Sequence, residues 1–318
     1  MKRLSAAALI AFGAAAGVAA SPRADRSAPV ASNVPIERHH YTMSARVRPL
    51  LVFWISKSNI GDAMTLRHQD AGGAEYSLLI GSDPQRAPRR INRWGYIEEH
   101  IQGPNATLVG LMTESDEDSI EQAQASLRKQ ESQHVFKLIR GSVAGNQAQS
   151  VVTLVPAPSD YDFRQLQTLL DLARTDQREG TTRSVRLAPG TRPGFLAALA
   201  DLMRGHVEQW RASHRIDAGL PVSYAYHGKI FELRATKTQM QATVKIGSTV
   251  YQRAIASEFE IRNTRSGEVT RFAMTYGSEG SLAAVPLTVS FQPRWWLEVD
   301  LALDDSTPGP TIVAETGR

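Results

Sequence analysis

From residue 295 to 303 apolar and polar side chains alternate without a break. Trp295, Leu297, Val299, Leu301 and Leu303 fall on one side and Trp296, Glu298, Asp300 and Ala302 on the other. Period two over that length predicts a half-buried antiparallel strand. The same period recurs upstream, in Val222, Tyr224 and Tyr226, in Phe231, Leu233 and Ala235, and in Met240, Ala242, Val244 and Ile246. Two further strands are expected at 258–261 and 269–276. They flank Asn-Thr-Arg-Ser-Gly-Glu, a hairpin turn in which Gly267 can adopt positive φ. With 282–291 added, residues 219–304 read as an antiparallel β domain, an open sheet, sandwich or barrel.

The preceding part carries mixed signals. Residues 50–55 (LLVFWI) form a continuous apolar run, consistent with a fully buried strand, and 75–80 and 91–99 follow as strand candidates. Beyond them the order is strand 106–112, helix 115–131, strands 135–140 and 150–155, helix 162–174 and strand 184–187. That is the β-α-β-β-α-β order of a ferredoxin-like unit, so 41–190 is expected to be a mixed α+β domain and the whole chain α+β. In the first helix Ser115 and Asp118 suit a cap, with Asp116 and Glu117 beside them at the positive helix end. In the second, Phe163, Leu166, Leu170 and Ala173 share a face. A connecting helix is expected within 191–218, because Phe195, Leu199, Leu202, Met203, Val207 and Trp210 make one stripe behind Pro193.

The ends set the compartment. Lys2 and Arg3 precede an apolar, alanine-rich run that finishes at Val18-Ala19-Ala20. This is the pattern of a secretory signal peptide, 1–20. Residues 21–40 are expected to be an extended lead-in and 305–318 a loose tail, both rich in Pro and small polar residues. No later run reaches the roughly 20 apolar residues of a spanning helix, so the exported product is expected to lack a transmembrane segment. The chain has no cysteine, which excludes disulfides, thiolate ligands and a cysteine nucleophile. Net charge is only +4 and the 36 Lys and Arg are interspersed with 32 acids, which argues against nucleic-acid binding.

Candidate chemistry concentrates at Arg86–His100, RAPRRINRWGYIEEH. Arg86, Arg89 and Arg90 are expected on a loop entering a strand, where guanidinium forks could hold an anionic group. Alternation then groups Trp94, Tyr96, Glu98 and His100 on one strand face, and Ile91, Arg93, Ile97 and Glu99 on the other, unless Gly95 forms a bulge. The ligand-binding candidates are therefore Arg86, Arg89, Arg90, Arg93, Trp94 and Tyr96. Glu98 and His100 are the candidate acid–base pair, with Asp62 and Asp83 as the nearest loop acids. The alternative to each is a solvated strand and its entrance. His39-His40 has no third ligand nearby, Asp116–Asp118 lacks a cation-binding loop, and Ser126-Leu127-Arg128-Lys129 lacks the companion motifs of a Ser-x-x-Lys nucleophile. No phosphate loop, dinucleotide fingerprint, zinc motif or nucleophile elbow occurs. The sequence implies no metal or cofactor. It favours a non-catalytic exported binding or scaffold protein for an anionic or amphipathic envelope lipid, glycan or protein partner. The alternative is a secreted hydrolase at Glu98 and His100.

Overall fold

A computed structural model describes residues 37–48, 54–113, 133–158, 160–175, 180–217, 219, 221–294 and 297–304. Its strands are β1 (Glu37–Val47), β2 (Ile55–Asp70), β3 (Gly73–Ser82), β4 (Trp94–Gln102), β5 (Asn105–Thr113), β6 (Gln133–Ala144), β7 (Gln147–Pro158) and β8 (Thr181–Arg186), followed by β9 (Val222–Tyr226), β10 (Lys229–Ile246), β11 (Thr249–Asn263), β12 (Val269–Gly277), β13 (Pro286–Arg294) and β14 (Leu297–Leu303). Two α-helices interrupt them, α1 (Leu166–Thr175) before β8 and α2 (Phe195–Ser213) after it.

All the strands belong to one 14-stranded sheet in the order β8-β7-β6-β5-β4-β3-β2-β1-β14-β13-β12-β11-β10-β9, and every neighbouring pair is antiparallel. The meander therefore has one interruption, between β8 and β9, and the sheet curls until those edges meet. The Arg192 N–H donates to the Ser223 carbonyl and the Arg192 carbonyl accepts from the Ala225 N–H, both at 2.8 Å. At the β9–β10 turn, Gly228 has φ +61° and lies so close to Arg183 of β8 that a Cβ there would sit 2.8 Å from the Arg183 Cβ. The result is an up-and-down barrel with a contact seam in place of a hydrogen-bonded one.

The inside is apolar because period two is kept in register across the strands. Tyr41, Met43 and Ala45 on β1 face Leu303, Leu301 and Val299 on β14 directly, and all six are buried. The outward partners are polar: Arg46 faces Glu298 and bridges it, and Ser44 faces Asp300. On the opposite wall Leu233, Phe259, Ile261, Met274 and Tyr276 point inward. Helix α2 closes one end of the barrel. Its Phe195, Ala198, Leu199, Leu202, Met203 and Val207 are buried in the same cluster as residues of β4–β7 and β9–β12. No helix among the described residues is long and apolar enough to cross a membrane.

Strands β3–β7 are covered on both faces. Their outward side chains Leu79, Trp94, Tyr96, Leu111, Phe136, Leu138 and Val155 form a second cluster with Phe163, Leu166 and Leu169 of α1 and the turn before it. Asp162 starts that turn with a capping box, its carboxylate accepting the Arg164 N–H at 2.8 Å while the Gln165 side chain accepts the Asp162 N–H at 2.9 Å.

This architecture overturns the α+β expectation and its ferredoxin-like unit. Residues 41–190 are not a separate mixed block but half of one antiparallel barrel. β5 and β6, expected to be separated in the manner of a βαβ unit, pair directly as antiparallel neighbours from Ala106–Val143 to Thr113–Phe136. The cause lies in the double cover: strands buried on both faces lose the polar-out alternation and read as the continuous apolar runs of an α/β sheet. The expected helix 115–131 and most of the run 50–55 lie outside the described residues. β1 begins at Glu37, within the segment read as a lead-in, so His39 and His40 are strand residues. The pairing passes through Gly95 without a register shift, so it forms no bulge.

Candidate ligand cavity and the residues around it

The barrel encloses a cavity of about 410 Å³. Its walls are the inward residues of β1–β6 and β11–β14, among them Tyr41, Met43, Ala45, Ile60, Leu78, Ile80, Ile97, Ile139, Phe272, Val289, Phe291, Val299 and Leu301. Phe195, Leu196 and Leu199 from the first turns of α2, together with Tyr226, close its inner end. At the other end it reaches residues where strands begin or stop: Val47, Lys57, Ser82, Trp94, Met112, Pro293 and Leu297. This is the mouth of the barrel. Two small residues keep the lumen open. Ala45 stands where a larger side chain would project inward, and Gly110 has the Tyr226 hydroxyl 3.2 Å from the point where a Cβ would lie.

One ionisable group serves the closed end. Glu99 points inward from β4, fully buried, and receives the first N–H groups of α2: Leu196 donates to Oε1 at 2.9 Å and Ala197 to Oε2 at 3.0 Å, with Phe195 contributing a further backbone hydrogen bond. A carboxylate at a helix N-terminus satisfies donors that have no partner within the helix. Gly194, the residue before the helix, permits this approach, since a Cβ there would lie 2.2 Å from the Glu99 carboxylate. Burial raises the Glu99 pKa and the three N–H groups pull it back, leaving it at about 7.

The arginine stretch divides between two roles. Arg86 is engaged within the protein: its Nε donates to Asp83 at 2.7 Å, and its other nitrogens donate to Asp62 and Asn59. Asp83 also accepts from Arg164 at 2.6 Å and from the Gln85 N–H at 2.9 Å. Burial acts to raise the Asp83 pKa, but these donors and the two guanidinium charges outweigh it and hold the carboxyl below its usual range. His40 joins the network through Asp62 at 3.1 Å. Asp62 and Asp83, read from sequence as possible partners of a catalytic pair, thus clamp the loop after β3 onto β2. Arg89 and Arg90 belong to a short 3-10 turn, Pro88–Arg90, where Arg90 is exposed with φ +56°. Arg93 is half-buried and lines the cavity at its mouth.

Trp94, Tyr96, Glu98 and His100 share the outer face of β4. The Trp94 ring lies 5.1 Å from that of Phe136. The Tyr96 hydroxyl donates to Glu98, whose other oxygen holds the His100 imidazole, with Glu75 3.8 Å from the same ring. The hydrogen bond to Glu98 raises the His100 pKa against the opposing effect of burial. This Tyr–Glu–His chain brings the candidate acid–base residues Glu98 and His100 together, but on the outside of the barrel wall, while the cavity lies inside it.

Sequence reasoning did not single out Lys57, Glu99 or the apolar lining. Lys57 pairs with Ala45, so it springs from the inner face. Glu99 carried a readable signal, an acid in register with Ile97 on the inward side, but its helix partner is 97 residues away. No family model, curated protein or solved structure matches the chain.

Proposed function

We propose that the protein is an exported, non-catalytic carrier that holds the apolar part of an amphipathic molecule in the barrel lumen. The observation that carries this reading is the apolar cavity of about 410 Å³ inside a barrel plugged at one end. Ligand pockets usually span about 300–1,000 Å³. A methylene fills about the volume of a water, ~30 Å³, so the lumen suits roughly a dozen chain carbons. At about 0.8 kcal/mol for each buried CH₂, such a chain supplies enough free energy to offset the losses of association.

The wall supports a water-facing barrel. Membrane barrels turn apolar residues outward and polar ones into the lumen. Here the pattern is reversed: the Arg46–Glu298–Asp300 group and the Arg234–Glu260–Arg271 group lie on the outer face, with Met43, Phe259 and Leu301 inside. Export rests on the signal-like residues 1–20.

The test is native mass spectrometry of protein isolated from a bacterial envelope fraction, alongside titration with an apolar fluorescent dye. Extra mass lost on organic extraction, and dye binding weakened at least tenfold by Ala45→Phe at unchanged secondary structure, are the expected results. Dye binding equal in the two proteins would overturn the assignment of the lumen.

A further inference from the structure

Large apolar side chains are exposed where β1 ends and β2 begins, beside the barrel mouth. The pairing of the two strands finishes with Ala45 opposite Lys57, Arg46 opposite Ser56 and Val47 opposite Ile55. Val47 and Lys57 line the cavity at its mouth, and Ile55 shares their face. Yet Ile55 is 46% exposed and the neighbouring Trp54 38%. They are two of the four large hydrophobics exposed among the described residues; the others, Leu154 and Val250, stand on separate strands, β7 and β11. A single exposed hydrophobic is ordinary, whereas adjacent ones at a cavity rim mark a contact surface.

The charge of this corner has one sign. From Arg38 to Gly61 the sequence holds no aspartate or glutamate, and Leu50-Leu51-Val52-Phe53 in its middle are apolar. Arg46 is taken up by Glu298 and Asp300 of β14. Arg48 and Lys57 have no acidic partner among the described residues, and Lys57 is exposed. The Arg48 guanidinium lies over the Trp54 ring, 6.0 Å from its centre. Tryptophan favours the boundary between lipid headgroups and acyl chains, because its ring is apolar and its N–H polar. Arginine and lysine can bury their methylenes there and leave the charge among phosphates. A second copy suits the corner poorly: a twofold contact would bring together the cations of both copies, with no acid of the corner to separate them.

We propose that the barrel docks by this corner on a bilayer containing anionic phospholipid, with Trp54 and Ile55 in the headgroup layer and Arg48 and Lys57 against lipid phosphates. The surface does not depend on what the lumen holds. Joined to the carrier reading above, it sets the mouth on the membrane, so that an amphiphile passes between bilayer and lumen without crossing water.

The experiment floats protein isolated from a bacterial envelope fraction with vesicles of phosphatidylcholine alone, or of phosphatidylcholine and phosphatidylglycerol in equal parts. Wild type should bind the anionic vesicles about tenfold more tightly than the neutral ones. Trp54→Ser/Ile55→Ser should lose about tenfold of that affinity, while its lumen takes up the apolar dye as wild type does. Arg48→Gln/Lys57→Gln should fall to the neutral-vesicle level. Arg48→Lys/Lys57→Arg should keep the anionic preference, which separates charge from damage to the fold. Brominated acyl chains should quench a component of the tryptophan emission that Trp54→Phe lacks. Wild type that floats with neither vesicle, or a Trp54→Ser/Ile55→Ser variant that binds as tightly as wild type, would overturn the docking surface. So would a wild-type dimer that the same two substitutions dissociate, since the corner would then belong to a second copy. Failure of wild type to take up the dye would count against the carrier reading alone, because vesicle binding is read without the lumen.

Discussion

The contact between Glu99 and α2 makes a strong prediction about pH. The ordinary glutamate pKa of 4.5 is raised to about 7 in the folded protein. Between those values the folded state keeps a proton that the unfolded chain releases, so this group's contribution to stability falls as pH rises through the window. At 1.36 kcal/mol per unit, the loss amounts to about 3 kcal/mol once the carboxyl is fully ionised. Glu99→Gln replaces the acid with an uncharged isostere of its protonated form. Between pH 5 and pH 8 the variant should therefore gain about 2.5 kcal/mol on wild type, above a constant offset that arises because Gln offers one acceptor oxygen where Glu99 receives an N–H on each of two. Urea unfolding followed by tryptophan fluorescence reads this directly. The comparison must be a difference between the two proteins, because His206 and His227, both kept neutral by burial, push wild-type stability upward with pH over an overlapping range. A difference between wild type and Glu99→Gln that is the same at both pH values, within about 1 kcal/mol, would refute the reasoning.

Two further predictions concern buried polar groups. Tyr276 is fully buried and its hydroxyl contacts His206 Nδ1 at 2.5 Å and Ser257 Oγ at 3.1 Å. Ser257 keeps its hydrogen bond to Thr238, so Tyr276→Phe should destabilise by about 2 kcal/mol chiefly by stranding His206 Nδ1; a thermal midpoint equal to wild type would count against that network. Asp83→Asn leaves Arg86 and Arg164 without their shared carboxylate and should lower stability at neutral pH by about 2 kcal/mol, a figure held down because both arginines remain partly in water. Because the Asp83 pKa is depressed, its contribution is present above the unfolded value of 3.8 and lost as pH falls; the gap between wild type and variant should therefore close in acid, and a constant gap in urea midpoints would refute this.

The legibility of the chain follows how each strand is buried. β14 is wet on one face, and its alternation can be read from sequence alone. β2 is not readable: ISKSNIGDAMTLRHQD has few apolar positions, positive φ at Asn59, and a register shift opposite Met43–Ala45 that moves inward positions from one parity to the other. β5 and β6 carry apolar residues on both faces because α1 and its turn cover the outside. The face shared by Trp94, Tyr96, Glu98 and His100 was visible from period two, but which face was the inner one depended on barrel closure. The lumen was hidden for the same reason. A cavity is a property of how β8 meets β9, through Arg192 with Tyr224 and Arg183 with Gly228, and no local pattern records that meeting.

The pairing of β1 with β14 bears on how the molecule is assembled. Thr42 bonds to a carbonyl 260 residues away, in the interior of the sheet and far from its seam. Local hairpins can form as they emerge, but this joint can be made only after β14 exists, and until then β1 and β13 each present an unsatisfied edge. Such long-range closure slows folding and leaves intermediates open to strand exchange with other copies. Refolding should therefore be slow and lose yield steeply with protein concentration. A chain that crosses a membrane unfolded would meet this hazard on the far side, where a factor that shields bare strands until β14 docks would raise its yield.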